Sequence, residues 1–306
     1  MVNCSIIIPH HNLPKLLCRS LASIPESNTF EVIVVDDNSS DDVVAELNSM
    51  QLPSNVRIIY TKEGKGAGYA RNIGLENANG KWLLFCDSDD YFTPQLEKLI
   101  EEYVDSEYDV VFFGFNTVDS DTLEAMPSRV IGSDNAFKER NVDYFKYRFH
   151  GPWAKFIRKS LVDRFNIKFD EVICSNDTFF AGLVGFHAQK VEIDSRPIYV
   201  TVIREGSLVH SMNLHSLTTR IDVSLRYNKF LRDIVKKNQY RINMISLFMY
   251  LREVDKRLFN EYMATYFKEE SINNIVHDFN KSLSGYLKQK LFRSKNLRKY
   301  IKITEK

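Results

Sequence analysis

An open α/β sheet with mostly parallel strands is the fold class this sequence predicts, and three observations predict it. Apolar runs of strand length recur through the first 116 residues, at Ser5–Ile8, Phe30–Val35, Val56–Tyr60, Trp82–Cys86 and Val110–Phe115. Segments with helical spacing or helix-start residues separate them, and a β-α-β-α order favours parallel strands with helices on both faces. Two of the runs end in acid: Asp36-Asp37 after the second, Asp87-Ser88-Asp89-Asp90 after the fourth. Strands buried on both faces read as continuous apolar runs. Charge at such a strand end needs a partner or a metal. In open α/β sheets ligands bind at the carboxyl ends of the strands, so two acidic ends there suggest a divalent cation and a ligand that carries phosphate.

The elements follow in order. Asn12 can cap a first helix with Pro14 in its first turn, and Leu13, Leu17, Leu21 and Ile24 repeat at helical spacing. Ser39 or Ser40 caps a second, with Asp41 and Asp42 at the positive end of its dipole. Gly64-Lys65-Gly66-Ala67-Gly68 is a flexible loop before a third helix that runs to about Asn77, and Asn79-Gly80 marks a turn. Pro94–Val104 reads as a helix. Residues 117–140 are polar and irregular. Helices are expected over Val142–Arg148, Ser160–Phe165 and Ser175–Phe186, and one or two strands over Val191–Val202. Beyond about Ser211 the chain turns helical, with Leu247, Leu251, Val254, Leu258 and Tyr262 stepping by three and four. Two parts are therefore expected: residues 1–210, with a nucleotide-binding half to about 116 and an acceptor half from about 117, and a helical extension over 211–306.

The chain has 306 residues, 44% of them hydrophobic, and a net charge of +1. That supports a packed core and gives no global charge argument for nucleic acid. Cys4, Cys18, Cys86 and Cys174 form no CxxC pair and read as reduced and mostly buried, as in a cytoplasmic protein. No secretory signal is expected ahead of the first strand. The longest apolar stretch, around Met244–Leu251, is too short to span a bilayer, so any membrane contact is from the surface. The last segment interleaves Lys281, Lys288, Lys290, Arg293, Lys295, Arg298, Lys299 and Lys302 with Tyr286, Leu287, Leu291 and Phe292. Such a segment can lie on an anionic leaflet at the inner face of the membrane, or be a solvated charged face.

Four motifs stand in order over residues 5–90: Ser5-Ile-Ile-Ile-Pro9-His10-His11-Asn12, Val35-Asp36-Asp37-Asn38-Ser39-Ser40-Asp41, Gly68-Tyr-Ala70-Arg71-Asn72-Ile-Gly74-Leu75 and Asp87-Ser88-Asp89-Asp90. In content and spacing this set resembles the family 2 glycosyltransferases of GT-A fold, inverting enzymes that use nucleotide sugars. The resemblance implies a Rossmann-like, mostly parallel mixed sheet plus a C-terminal helical extension. It implies a nucleotide-sugar donor, with UDP the first choice because a carboxylate such as Asp37 can accept the N–H of a uracil ring. Asp89 would be the metal ligand, with Asp87 and Ser88 near the ribose or donor and Asp90 orienting the donor. Carboxylate-rich, hydrated sites suit Mg or Mn. Pro9 and His11 would line the base and ribose pocket, and Arg71 would lie under the nucleotide, paired with the acids. The glycine loop is no Walker loop, since no Lys-Ser/Thr pair follows it.

The base that takes the acceptor proton must come from the second half. Where the family carries a Glu-Asp pair, this chain has Asn176-Asp177, so Asp177 is the candidate base and Asn176 a departure. Helix capping is the competing role for Asp177. Trp153 could stack on a sugar face, and His210 could contact metal or phosphate. The implied reaction is transfer of a sugar to an acceptor hydroxyl on a glycan or lipid-linked sugar, in surface polysaccharide biosynthesis. Two alternatives stand beside it: a catalytically inactive nucleotide- or sugar-binding relative, and a metal-dependent nucleotidyltransferase.

Overall fold

Seven consecutive buried residues, Cys4–His10, form β1. A strand with no exposed position must be covered on both faces. The computed structural model describes residues 2–128, 130–204 and 213–283, and the chain divides into two compact units, Met1–Ser211 and Met212–Lys306. In the first, β1 is followed by α1 (Pro14–Ala22), β2 (Phe30–Asp37), α2 (Asp41–Ser49), β3 (Val56–Thr61), α3 (Ala67–Asn77), β4 (Trp82–Phe85), β5 (Tyr91–Phe92), α4 (Leu96–Tyr103) and β6 (Val110–Asp119). Then come α5 (Ser133–Lys138), α6 (Val142–Tyr147), β7 (Lys155–Arg158), α7 (Lys159–Arg164), α8 (Thr178–His187) and β8 (Val191–Ile203).

These strands make one eight-stranded sheet in the order β3-β2-β1-β4-β7-β6-β8-β5. The strands β3, β2, β1 and β4 are parallel. Polarity reverses at β7, which pairs antiparallel with both β4 and β6. The β6–β8 pair is parallel, with a register shift around Gly114. The sheet is thus mixed and mostly parallel, as expected. Two strands were not foreseen. Tyr91–Phe92 is too short to show a period, and Lys155–Arg158 carries a lysine at a position the fold buries. The irregular stretch after residue 116 begins later than expected, because β6 runs on to Asp119.

The cap of α1 differs from expectation, and that of α2 falls to one of its two candidates. The residue capping α1 is Leu13; Asn12 sits at φ +53° and its side chain accepts from the Ser40 N–H at 2.9 Å. Ser40 caps α2 through its backbone, while Ser39 turns back to donate to Asp36 at 2.6 Å. Asn12 and Ser39 therefore tie the ends of β1 and β2 together instead of closing helices.

In the second unit α9 (Leu214–Phe230), α10 (Met244–Val254) and α11 (Lys256–Glu269) pack around Leu217, Ile221, Met244, Phe248, Leu251 and Tyr266. The expected single stripe from Leu247 to Tyr262 is broken at Asp255, whose carboxylate caps α11 by accepting from Leu258 N–H at 2.9 Å. Val254 is consequently exposed. A last helical stretch covers residues 272–283. Among the described residues no helix is long and apolar enough to cross a membrane.

Candidate functional site

The carboxyl ends of β1, β2 and β4 lie side by side, so the residues that follow them share one edge of the sheet. At the end of β1, alternation sends His10 inward and His11 outward. His10 is buried and its Nδ1 lies 2.7 Å from Asp36. Asp36 also accepts from the Ser39 hydroxyl and N–H. This closed cluster leaves His10 and Asp36 as parts of the scaffold. His11 is exposed, its Nδ1 2.9 Å from the Asp37 carbonyl. Pro9, in contrast, is buried within β1.

Asp37 organises the glycine loop. Its carboxylate accepts from Gly66 N–H at 2.5 Å, Lys65 N–H at 3.3 Å and Thr61 Oγ1 at 3.1 Å. A carboxylate has about four acceptor positions, and these bonds take three of them. The loop then delivers α3, on which Arg71 is buried. One Arg71 nitrogen donates to Asp87 at 2.6 Å and another to the Asn176 side-chain oxygen at 2.8 Å. The guanidinium also lies over the Phe169 ring at 5.3 Å. Two fixed acceptors in different directions suit a planar fork. Arg71 thereby joins the end of β4 to the residue just before Asp177. Asn176 departs from the family glutamate, yet its amide oxygen still supplies the acceptor Arg71 needs.

The segment carrying Asn176 and Asp177 is held from several sides. Asn72 accepts from Phe169 N–H at 2.8 Å and donates to Phe169 O at 3.0 Å. Phe169 stacks on Phe180 with centroids 3.8 Å apart, and Phe85 of β4 meets both edge-on. At Gly68 an added Cβ would lie 2.1 Å from the Asp170 carbonyl and 2.9 Å from Asn176 Cβ, so only glycine lets α3 approach this closely. Asn72, next to Arg71 in the third motif, was given no role from sequence.

Asp177 stands at the N-cap position of α8 but makes no side-chain cap bond, which leaves its carboxylate to other work. Burial raises its pKa above the usual aspartate value, against the lowering effect of Arg71 and Lys155; Asp87 adds to the rise. A carboxylate raised in this way is a better proton acceptor. Lys155, to which the sequence assigned no role of its own beside Trp153, is a buried cation on β7. Its ammonium donates to the carbonyls of Phe149 and Gly151, both at 2.6 Å, and lies 4.4 Å from the Phe149 ring. Burial lowers its pKa to about 7, with Asp177 pulling the other way. A charged residue between Ala154 and Phe156 on an apolar strand was the available signal.

The acidic turn after β4 divides its labour. Asp87 faces Arg71, and its backbone N–H donates to the Tyr199 hydroxyl at 2.9 Å. Ser88 is buried. Asp89 pairs with Arg204 Nε at 3.0 Å, and its backbone carbonyl accepts from Arg19 at 2.6 Å. Asp90 corrects an expectation. It is buried, accepting from Val202 N–H at 2.7 Å and Tyr199 O–H at 3.0 Å. Burial raises its pKa well above the usual value, and Asp87 and Asp89 raise it further. It anchors the turn to β8 and does not face a donor. Trp153 is a second correction. It is 5% exposed and stacked on Tyr199 with centroids 5.3 Å apart, with Phe115 and Phe149 edge-on. The ring packs under the site and offers no open face to a sugar. His210 and the basic residues from Lys288 onward lie outside the described residues.

The sequence model of the family described as "Glycosyl transferase family 2" matches residues 5–165, more than half of the chain. The chain belongs to glycosyl transferase family 2. As a family 2 chain it is 25% identical over 250 residues to the putative glycosyltransferase EpsH of Bacillus subtilis, covering 78% of this chain and 71% of that one. It is 24% identical over 253 residues to the succinoglycan biosynthesis protein ExoO of Rhizobium meliloti, covering 78% and 72%. The crystal structure of Staphylococcus aureus TarS 1–349 in complex with UDP-GlcNAc superposes with a TM-score of 0.63 at 22% identity, over 91% of this chain and 79% of that one. The fold of this family 2 chain is therefore the GT-A fold.

The four free cysteines are not uniform: Cys4 and Cys86 are buried, Cys174 is half-buried and Cys18 is exposed. The expectation of mostly buried thiols fails at Cys18, on the outer face of α1.

Proposed function

We infer that this glycosyltransferase moves a sugar, with inversion, from a UDP-sugar to an acceptor hydroxyl on a glycan or lipid-linked sugar during assembly of a surface polysaccharide. One observation carries the reading: Arg71 bonds Asp87 on the donor side and Asn176 beside Asp177 on the acceptor side, so one buried cation couples a donor carboxylate to the candidate base. Membership of the family sets aside the nucleotidyltransferase alternative. UDP as the nucleotide is supported by the TarS complexes, whose ligands are UDP and UDP-GlcNAc. A surface polysaccharide is supported by the relative named for succinoglycan biosynthesis. Four free thiols suit a cytoplasmic setting.

In this reading Asp177 takes the proton of the acceptor hydroxyl while that oxygen attacks the anomeric carbon. The bond from the anomeric carbon to the diphosphate breaks on the opposite face. The fourth acceptor position of Asp37 receives the uracil N–H, with exposed His11 beside the base and ribose and buried Pro9 fixing the strand end behind them. Asp87 and Ser88 face the donor. Asp89 and Asp87 offer hard oxygen donors that suit Mg or Mn, although each already holds an arginine in this structure. A cation held there would neutralise charge on the departing diphosphate. Because the described residues group no three side-chain ligands in one place, such a cation would complete its shell from phosphate oxygens and water.

The test is thermal stabilisation by UDP, UDP-GlcNAc and GDP, with and without Mn, on wild type, Asp89→Ala and Asp177→Asn, followed by sugar release or transfer. Stabilisation by UDP compounds that requires Asp89 and Mn, together with Asp177→Asn binding UDP normally but turning over nothing, is the expected result. Equal loss of binding and turnover in Asp177→Asn would assign that residue a folding role. Stabilisation by none of the nucleotides, in a well-folded protein, would favour the inactive relative.

A further inference from the structure

The helix over residues 272–283 leaves an apolar stripe exposed. Ile272, Val276, Phe279 and Leu283 are 78%, 50%, 45% and 57% exposed. Their spacing of four, three and four places them on one helical stripe. The buried face is mostly polar, with Asn274, Asp278 and half-buried Ser282 beside one apolar residue, Ile275, which joins the core of the second unit. Asp278, fully buried, pairs with Arg241 at 2.9 Å and accepts from Tyr266 O–H at 2.7 Å. Arg241 also reaches Glu270 at 2.8 Å and the Asn274 carbonyl at 2.9 Å. Asn243 donates to Ser282 Oγ at 3.0 Å and to the Asp278 carbonyl at 3.2 Å. An ordinary surface helix hides its apolar stripe, whereas this one hides only Ile275 and leaves four apolar side chains in the open.

The inward network explains why the helix cannot roll over. Rotation that hid the stripe would pull Asp278 from Arg241 and leave a buried charge without its partner, a heavily penalised state. The stripe is therefore held outward by bonds on its far side. The charge along the chain bears on what such a stripe would meet. Residues 284–306 contain eight Lys or Arg and one Glu, a net of +7, whereas the whole chain carries +1, leaving −6 on residues 1–283. The positive charge thus follows directly on the apolar stripe. A two-fold dimer through the stripe would bring two +7 segments together. An anionic lipid surface instead attracts them and receives the apolar side chains.

We propose that Ile272, Val276, Phe279 and Leu283 form a docking face for an anionic membrane, with the basic residues beyond 283 as its electrostatic half. This goes beyond sugar transfer and does not depend on it. The test uses the full chain in co-sedimentation with vesicles of phosphatidylcholine alone or with about one third phosphatidylglycerol. Three proteins are compared: wild type, V276S/F279S, and K288Q/K290Q/R293Q/K295Q. Wild type should pellet with the anionic vesicles only, less so as salt rises. The serine variant should lose about tenfold or more in partitioning, with an unchanged thermal midpoint and unchanged nucleotide binding. The glutamine variant should lose its preference for anionic lipid. Binding that survives V276S/F279S would overturn the proposal in favour of a tail-only contact. No vesicle binding by wild type, or a dimer in sedimentation velocity that V276S/F279S dissolves, would overturn it as well.

Discussion

Arg71→Met removes the guanidinium while keeping most of the apolar stem. Two charge-assisted hydrogen bonds disappear, to Asp87 at 2.6 Å and to Asn176 at 2.8 Å. Each such bond contributes about 1.5–3 kcal/mol net. The two losses do not simply add. Asp87 keeps some access to water, with a side chain 29% exposed, and can be rehydrated; Asn176 is buried and cannot. A total of about 2–4 kcal/mol follows. For a unit of this size each kcal/mol shifts the midpoint by about 2–4 °C, so the melting temperature should fall by roughly 5–15 °C. A double-mutant cycle with Asp87→Asn isolates the pair, and its coupling should be about 1–3 kcal/mol. Arg71→Lys should recover less than half of the loss, because an ammonium does not span two divergent acceptors as a planar fork does. Thermal denaturation of the four proteins of the cycle and of Arg71→Lys reads all of this. A coupling below about 0.5 kcal/mol, or a midpoint unmoved by Arg71→Met, would refute the claim that this arginine holds the two sides of the site together.

Three other outcomes are expected. Lys155→Met removes a positive charge that lowers the Asp177 pKa, so the acid limb of the transfer rate should move to higher pH; since an ionised base is needed, activity is lost as pH falls through that limb, and an unmoved limb would show that Lys155 does not act on Asp177. Asp90→Asn keeps the shape but removes a carboxyl whose pKa is raised in the fold. A raised pKa means stability that is present at low pH and lost as pH rises, so the variant should gain on wild type from about pH 4 upward, and urea unfolding at pH 4 and pH 8 that showed equal gaps would contradict this. Gly68→Ala places a methyl 2.1 Å from the Asp170 carbonyl; it should destabilise by about 2 kcal/mol or more and weaken turnover more than nucleotide binding, and a variant with wild-type melting and turnover would count against the close approach of α3.

The parallel half of the sheet was legible because β1 and β4 bury every position and β2 every position but Glu31, so their central residues read as apolar runs. The acidic strand ends were legible for the same reason: charge stands out against such a background. Lys155 and β7 were not, because a buried ammonium held by two carbonyls looks in sequence like one more surface lysine. Trp153 and Asp90 were misread for a shared physical reason. Both contact Tyr199, some 46 and 109 positions away along the chain, and nothing near either residue announces that partner. Asp255 likewise looks like a polar interruption in a helical stripe until its bond to Leu258 N–H shows it starting a new helix.

Tyr199 has a consequence for the order in which the molecule comes into being. Its hydroxyl oxygen receives the Asp87 N–H, its proton goes to Asp90, and the neighbouring Val202 N–H and Arg204 guanidinium reach Asp90 and Asp89. These partners are separated by 109 to 115 positions. Closing loops of that length is slow compared with local helix formation. During synthesis the first ninety residues can supply all four diagnostic motifs and still lack the strand that shapes the acidic turn. A chain cut before residue 199 should therefore leave Asp87, Asp89 and Asp90 as three adjacent carboxylates without those bonds to hold them apart. Competence to hold a donor thus arrives late on the ribosome, after β8 has been made and docked.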